Sequence, residues 1–200
     1  ALECIENGIA VESFAFAPEP SSGGARMRQG TRRGYALMLA RICEEKGIHL
    51  GLEAARRAGA DLMIGGEVFP YPDHRRYFEE YIVPLLDARR RFLGPVGFER
   101  KRRLLAGARC VLIPSLVPET SSLVAMEALA SGTPVIGFPG GALPEIVEHG
   151  RTGFLVADAR EMASAIREVD RLDRFECRAV AVERFSADVM VDNYIRLYRR

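Results

Sequence analysis

Tryptophan is absent from this chain, histidine occurs three times and cysteine four times in 200 residues, and 28 basic side chains are nearly cancelled by 27 acidic ones. The missing tryptophan decides nothing. The other shortages exclude more. A net charge of +1 argues against a dedicated nucleic-acid binder, which carries a strong basic excess. No apolar run approaches the ~20 residues that span a bilayer, and no secretory signal opens the sequence. His49, His74 and His149 are too widely spaced for a metal-ligand cluster and read as surface or helix-end residues. Cys4, Cys43, Cys110 and Cys177 form neither a CxxC pair nor a metal-finger spacing. They read as reduced thiols of a cytoplasmic protein, with Cys43 and Cys110 as small core residues in or beside apolar runs.

With 48% of its residues apolar, the chain has a globular composition and is long enough for one domain with a real core. Short runs rich in Leu, Ile and Val recur at 35–40, 61–65, 91–96, 110–114, 134–138 and 153–156. Near-continuous apolar runs of this length suit strands buried on both faces, as in a parallel sheet. Between them, Ile48, Leu52 and Ala55 repeat at helical spacing, as do Met162, Ala165, Ile166 and Val169. Leu104 and Leu105, after the charged stretch 99–103, mark another helix. The alternation predicts a doubly wound, Rossmann-like α/β domain over 35–200. It closes in helices, the last with Ser186 as its N-cap. Residues 1–34 differ: a turn-rich stretch at 18–24 and the basic residues Arg26, Arg28, Arg32 and Arg33 read as an interdomain hinge and mobile loop.

The stretch 111–148 is the richest in chemistry. A strand ends at Ser115, a loop brings up Glu119, a helix begins near Thr120-Ser121-Ser122, and that helix carries Glu127. If the loop continues the helix axis, the two carboxylates stand roughly 12 Å apart. The N–H groups of Thr120 to Val124 then form an anion site between them. Carboxylate, phosphate-binding amides and carboxylate match the order of hexose, pyrophosphate and ribose in a nucleotide sugar. Arg41 and Lys46 follow the first strand, where open α/β sheets take ligands, and two cations on one loop can neutralise a diphosphate. Read alone, each Glu is more simply a solvated side chain, and the two cations more simply a surface pair beside Glu44 and Glu45. Gly140-Gly141 permits a close backbone approach to a ligand, or forms only a tight turn.

Taken in order, the motifs resemble those of retaining GT-B glycosyltransferases of the glycogen-synthase-like and mannosyltransferase-like group. Residues 39–47 are similar to their GR-x4-KG loop and 92–96 to their FxGxV strand. Residues 113–136 are similar to their PS-x3-E-x7-E-A-x-A-x-G-x-P-V-I block. Gly140-Gly141, 145–147 and 150–156 continue the pattern, and Asn7-Gly8-Ile9 with Phe14 looks like the hinge between two domains. The chain departs at Ala40, where the family has Gly, and at Ser121-Ser122-Leu123, where Phe-Gly-Leu is common.

This resemblance implies one half of a GT-B fold that binds a nucleoside-diphosphate sugar, UDP- or GDP-linked, for retaining transfer of a hexose to an acceptor hydroxyl. Arg41 and Lys46 would hold the diphosphate and Glu119 the transferred sugar. Glu127 would hold the ribose, while Ser121, Ser122, Leu123, Val124, Gly140 and Gly141 complete the donor site. Backbone near Val96 and Gly97 would read the base. No cofactor or metal is expected, because the two cations carry the counter-charge. The acceptor would belong to an N-terminal domain of the same full-length protein, so the isolated chain is expected to transfer nothing. Two other readings share these motifs: a GT-B sugar-nucleotide epimerase and a non-catalytic nucleotide-binding module. The basic runs 89–91 and 100–103 read as solvated helix faces. A contact of the second run with the inner face of an anionic membrane is the alternative.

Overall fold

The computed structural model describes residues 5–16 and 34–199. Cys4 and nearly all of the expected mobile loop, including its four arginines, lie outside the described residues. Six strands form a single parallel sheet: β1 (Tyr35–Leu39), β2 (Asp61–Gly65), β3 (Arg90–Phe92), β4 (Cys110–Ile113), β5 (Val135–Gly137) and β6 (Gly153–Leu155), in the order β3-β2-β1-β4-β5-β6. The order reverses between β1 and β4, and this crevice is where open α/β sheets bind ligands. All six apolar runs became strands. The third is shorter than its run, because Gly94 turns the chain with φ +71° directly after Leu93.

The side-chain alternation of the strands builds two cores. Ala36, Met38, Leu62, Ile64, Cys110, Leu112, Ile136 and Phe154 point to one face. There they meet helices α1 (Ile48–Ala58) and α6 (Ala159–Glu168), which pack on each other. Leu37, Val111, Ile113 and Val135 point to the other face, against α4 (Leu123–Ala130) and α7 (Arg174–Phe185). Burial on both faces explains why the strand runs are apolar without alternation. Between β2 and β3 the chain forms α2 (Pro72–Tyr77), a wider π-type turn at Phe78–Ile82 and a 3-10 turn at Val83–Leu85. Helices α3 (Phe98–Gly107) and α5 (Leu143–Ile146) complete the layers, and α8 (Ala187–Tyr198) ends the described chain.

Local chemistry sets the helix starts. Asp158, Asp173 and, as expected, Ser186 accept the first-turn N–H groups of α6, α7 and α8. Residues 5–16 lie along this end of the molecule. Ile9 pairs with Ser186, and one nitrogen of Arg178 gathers the carbonyls of Val11, Phe14 and Ala130. The run 89–91 is not a helix face. Arg90 and Arg91 open β3, while Arg89 pairs with Asp61 at 2.6 Å and Arg90 pairs with Asp87. Among the described residues no helix is long and apolar enough to cross a membrane.

Candidate functional site

The loop after β1 is held by a glycine. Gly47 has φ +60°, and a Cβ there would lie 2.1 Å from the Pro114 carbonyl oxygen. Only glycine lets this loop close on the end of β4. The Leu116 N–H donates to Glu45 O at 2.8 Å and ties the same two loops. Lys46 is thereby brought to Glu119, Nζ to Oε1 2.7 Å, and the buried Ser115 hydroxyl donates to that same oxygen. Residues separated by 73 positions in sequence thus share one site.

Glu119 is fixed from its other side as well. It forms a bridge with Gly141, whose N-terminal neighbour Gly140 and successor Ala142 complete the turn, and Ala142 N–H donates to Glu119 O at 2.7 Å. Gly141 has φ +60°, and a Cβ would lie 2.1 Å from Glu119 O. The close approach expected at the paired glycines is therefore one of protein backbone to protein backbone, and it sets the height of Glu119. This pairing also corrects the expected geometry between the two carboxylates. The loop does not continue the helix axis, since α4 begins only at Leu123 with Ser122 at the capping position.

A cavity of about 230 Å³ opens between these parts. Lys46, Ser115, Glu119, Ser121, Ser122, Leu123 and Val124 line it together with the ends of β1 and β4. The expected amide site is only partly available. Leu123 N–H is engaged with Ser121 O at 3.0 Å, whereas those of Ser121, Ser122 and Val124 have no backbone acceptor among the described residues. Ser121 Oγ accepts from Asn7 Nδ2 at 2.8 Å, so the leading segment reaches the site directly. That contact was invisible in the sequence. Arg41 is exposed on the same loop as Lys46, with no side-chain partner among the described residues.

Arg41, Glu127, Val96, Gly140 and Gly141 lie outside the cavity lining. Val96 stands at the carboxyl end of β2, where a Cβ on Gly65 would meet it at 2.6 Å. Glu127 is 9% exposed, on the buried side of α4. Its Oε1 accepts from Lys101 Nζ at 2.6 Å, and its Oε2 is buried with no partner among the described residues. The run 100–103 is accordingly not one solvated face. Lys101 turns inward, Arg102 pairs with Glu99 at 3.0 Å, and Arg100 and Arg103 stay exposed. A count of like charges could not reveal this, because the partner lies 26 positions away.

Among the described residues no group of three or more His, Cys, Asp or Glu side chains is placed to hold a metal ion. His49 sits in the first turn of α1 with Nδ1 2.7 Å from the Tyr77 hydroxyl, and His149 Nδ1 accepts from Leu155 N–H at 3.1 Å. Cys43, Cys110 and Cys177 are free, buried thiols, and burial pushes Cys110 and Cys177 up to about 12.

Comparison with known proteins agrees with this architecture. Residues 33–170 match the glycosyl transferases group 1 family, and the chain belongs to that family. It is 43% identical over 93 residues to a D-inositol 3-phosphate glycosyltransferase of Nocardioides, covering 46% of this chain and 20% of that protein. It is 30% identical to glycogen synthase of Mycobacterium tuberculosis, covering 84% of this chain and 39% of the relative. The crystal structure of Anabaena Alr3699/HepE in complex with UDP superposes with a TM-score of 0.80 at 25% identity, over 98% of this chain and 56% of that one. The Rossmann-like sheet is thus that of GT-B glycosyltransferases. The chain spans less than half the length of those two curated relatives.

Proposed function

We propose that this chain is the donor-binding half of a retaining hexosyltransferase that uses a nucleoside-diphosphate sugar. The observation that carries the reading is the cavity at the strand-order reversal. Its wall combines the Lys46–Glu119 pair, the Ser115 hydroxyl and N–H groups at the start of α4 that have no backbone acceptor among the described residues.

A donor diphosphate fits the positive elements of this wall. Among the described residues Lys46 Nζ has one hydrogen bond, to Glu119, and an ammonium carries two further donors. Arg41 on the same loop adds a guanidinium with no ion pair within salt-bridge distance among the described residues. The N–H groups of Ser121, Ser122 and Val124 and the helix dipole add partial positive charge. When the bond from the anomeric carbon to the diphosphate breaks, negative charge grows on the leaving group. These fixed donors stabilise that charge without having to reorganise. Glu119, held by Lys46, Ser115 and the Gly141 bridge, is aimed to accept from sugar hydroxyls. Glu127 takes the ribose, Gly140 and Gly141 border the sugar, and backbone near Val96 meets the base. The counter-charge comes from side chains, so no metal enters this mechanism.

The acceptor side belongs, on this reading, to a second domain of a longer polypeptide. An apolar stripe on α8 supports it: Val191, Tyr194, Ile195 and Tyr198 follow i, i+3, i+4, i+7 spacing and are 39–84% exposed. The free thiols suit a reducing compartment, and we place the protein in the cytoplasm.

Calorimetric titration with UDP, GDP and ADP tests the donor site. One nucleotide is expected to bind selectively, and Lys46→Ala and Glu127→Ala are each expected to weaken it at least tenfold. Undiminished affinity in Lys46→Ala would remove the diphosphate assignment.

A further inference from the structure

Glu127 is a carboxylate with a divided environment. Oε1 is bound by the Lys101 ammonium at 2.6 Å, while Oε2 is buried and has no partner among the described residues. A buried acceptor left unpaired is costly, and such a group calls for an explanation. The terminal torsion of a glutamate is broad and nearly two-fold, so without a constraint the two oxygens would exchange roles. Lys101 is that constraint, and it is itself held in place. Its Nζ lies 5.9 Å from the centre of the Phe14 ring and 5.6 Å from that of Phe98, and the two rings meet edge to face at 5.9 Å. Phe14 is in turn fixed through its carbonyl, which accepts from Arg178 at 3.1 Å. Three separate parts of the chain therefore set the position of one ammonium group: the leading segment, α3 and α4.

We propose that Lys101 is a positioning residue for Glu127, fixing its carboxylate through Oε1 so that it meets the donor's ribose hydroxyls in one orientation. The proposal rests on the reading of Glu127 as the ribose ligand. With Lys101 in place the carboxylate offers one oriented acceptor. Without it, the carboxylate swivels, and a hydroxyl meets an unfixed group. A lysine that only tied α3 to α4 would affect the stability of the chain and leave the choice between ribose and deoxyribose untouched.

That difference supplies the test. Dissociation constants of UDP, GDP and ADP and of their 2′-deoxy and 3′-deoxy forms are measured by calorimetry on the wild-type chain, Glu127→Gln, Lys101→Met and Lys101→Arg. Lys101→Gln is carried as a second neutral variant should the methionine form fold poorly. The wild type is expected to favour one ribonucleotide over a deoxy form at least tenfold. Glu127→Gln and Lys101→Met are expected to lose that preference to a similar degree, with affinity for the deoxy form unchanged, and Lys101→Arg to keep most of it. A preference lost in Glu127→Gln but intact in both neutral Lys101 variants overturns the role of Lys101 alone. Equal weakening of ribo and deoxy forms in the Lys101 variants also overturns it, since the ammonium then acts on something other than the ribose. A preference intact in Glu127→Gln, or no nucleotide bound by the wild type, overturns the ribose reading of Glu127 and this proposal with it.

Discussion

Two glycines at the site have a role that a third makes measurable. Gly47, Gly59 and Gly141 share left-handed backbone, φ +60°, +64° and +60°. A Cβ at Gly59 would meet nothing within 4 Å, while at Gly47 and Gly141 it would lie 2.1 Å from a backbone oxygen. Gly59→Ala therefore costs only the conformational term, about 1 kcal/mol. Gly47→Ala and Gly141→Ala add overpacking against backbone and should cost roughly 2–5 kcal/mol. Urea unfolding at unchanged m-value measures all three. Equal losses at the three positions would mean that the Pro114 and Glu119 carbonyls yield freely, and that Lys46 and Glu119 are not held by these contacts.

Among elements, α1 and the end of α2 are joined by one titratable pair. The Tyr77 hydroxyl lies 2.7 Å from His49 Nδ1 and accepts from His49 N–H at 3.2 Å. Burial pushes the imidazole below its ordinary 6.5, against the pull of Glu44 and Glu53, and pushes Tyr77 up to about 12. With the folded value depressed, the unfolded chain takes up its proton first as pH falls. Stability from this pair is present above about pH 6.5 and declines as pH drops below it. A series of thermal unfolding midpoints from pH 7.5 to 5 should show this decline, and His49→Asn should flatten it. An unchanged slope in the variant would remove His49 from the account. The same scale shows what the sequence made readable. Strands buried on both faces announce themselves as unbroken apolar runs, and the cap at Ser186 is local chemistry. Pairings of distant residues are not local. Lys101 sat in a run of like charges whose simplest reading was solvation, and its carboxylate partner lies on another helix. Glu119 looked like an extension of α4 because nothing in 115–122 signals the bridge to Gly141. The irregular turns at 78–85 lack any period that would mark them.

For the molecule as a whole, the two cores account for both faces of the sheet but leave one side of α8 uncovered. None of its residues is buried, and Val191 and Ile195 are 47% and 39% exposed. Substitutions on such a stripe change little in the fold itself, within about 0.5 kcal/mol. Val191→Glu with Ile195→Glu should therefore leave the unfolding midpoint of this chain in place while lowering its binding of a hydrophobic dye. A large fall in the midpoint would show that the stripe already packs within this chain, and the support it gives to a second domain would go. Transfer makes the complementary demand. A donor half stabilises the leaving diphosphate but supplies neither the acceptor hydroxyl nor the surface that excludes water from the bond being broken. The 200-residue chain should thus bind a nucleoside diphosphate and transfer no sugar to any acceptor offered, in an assay with labelled UDP- and GDP-hexoses. Turnover by the chain alone would mean that these residues complete an active site without a second domain, and that the α8 stripe has some other partner.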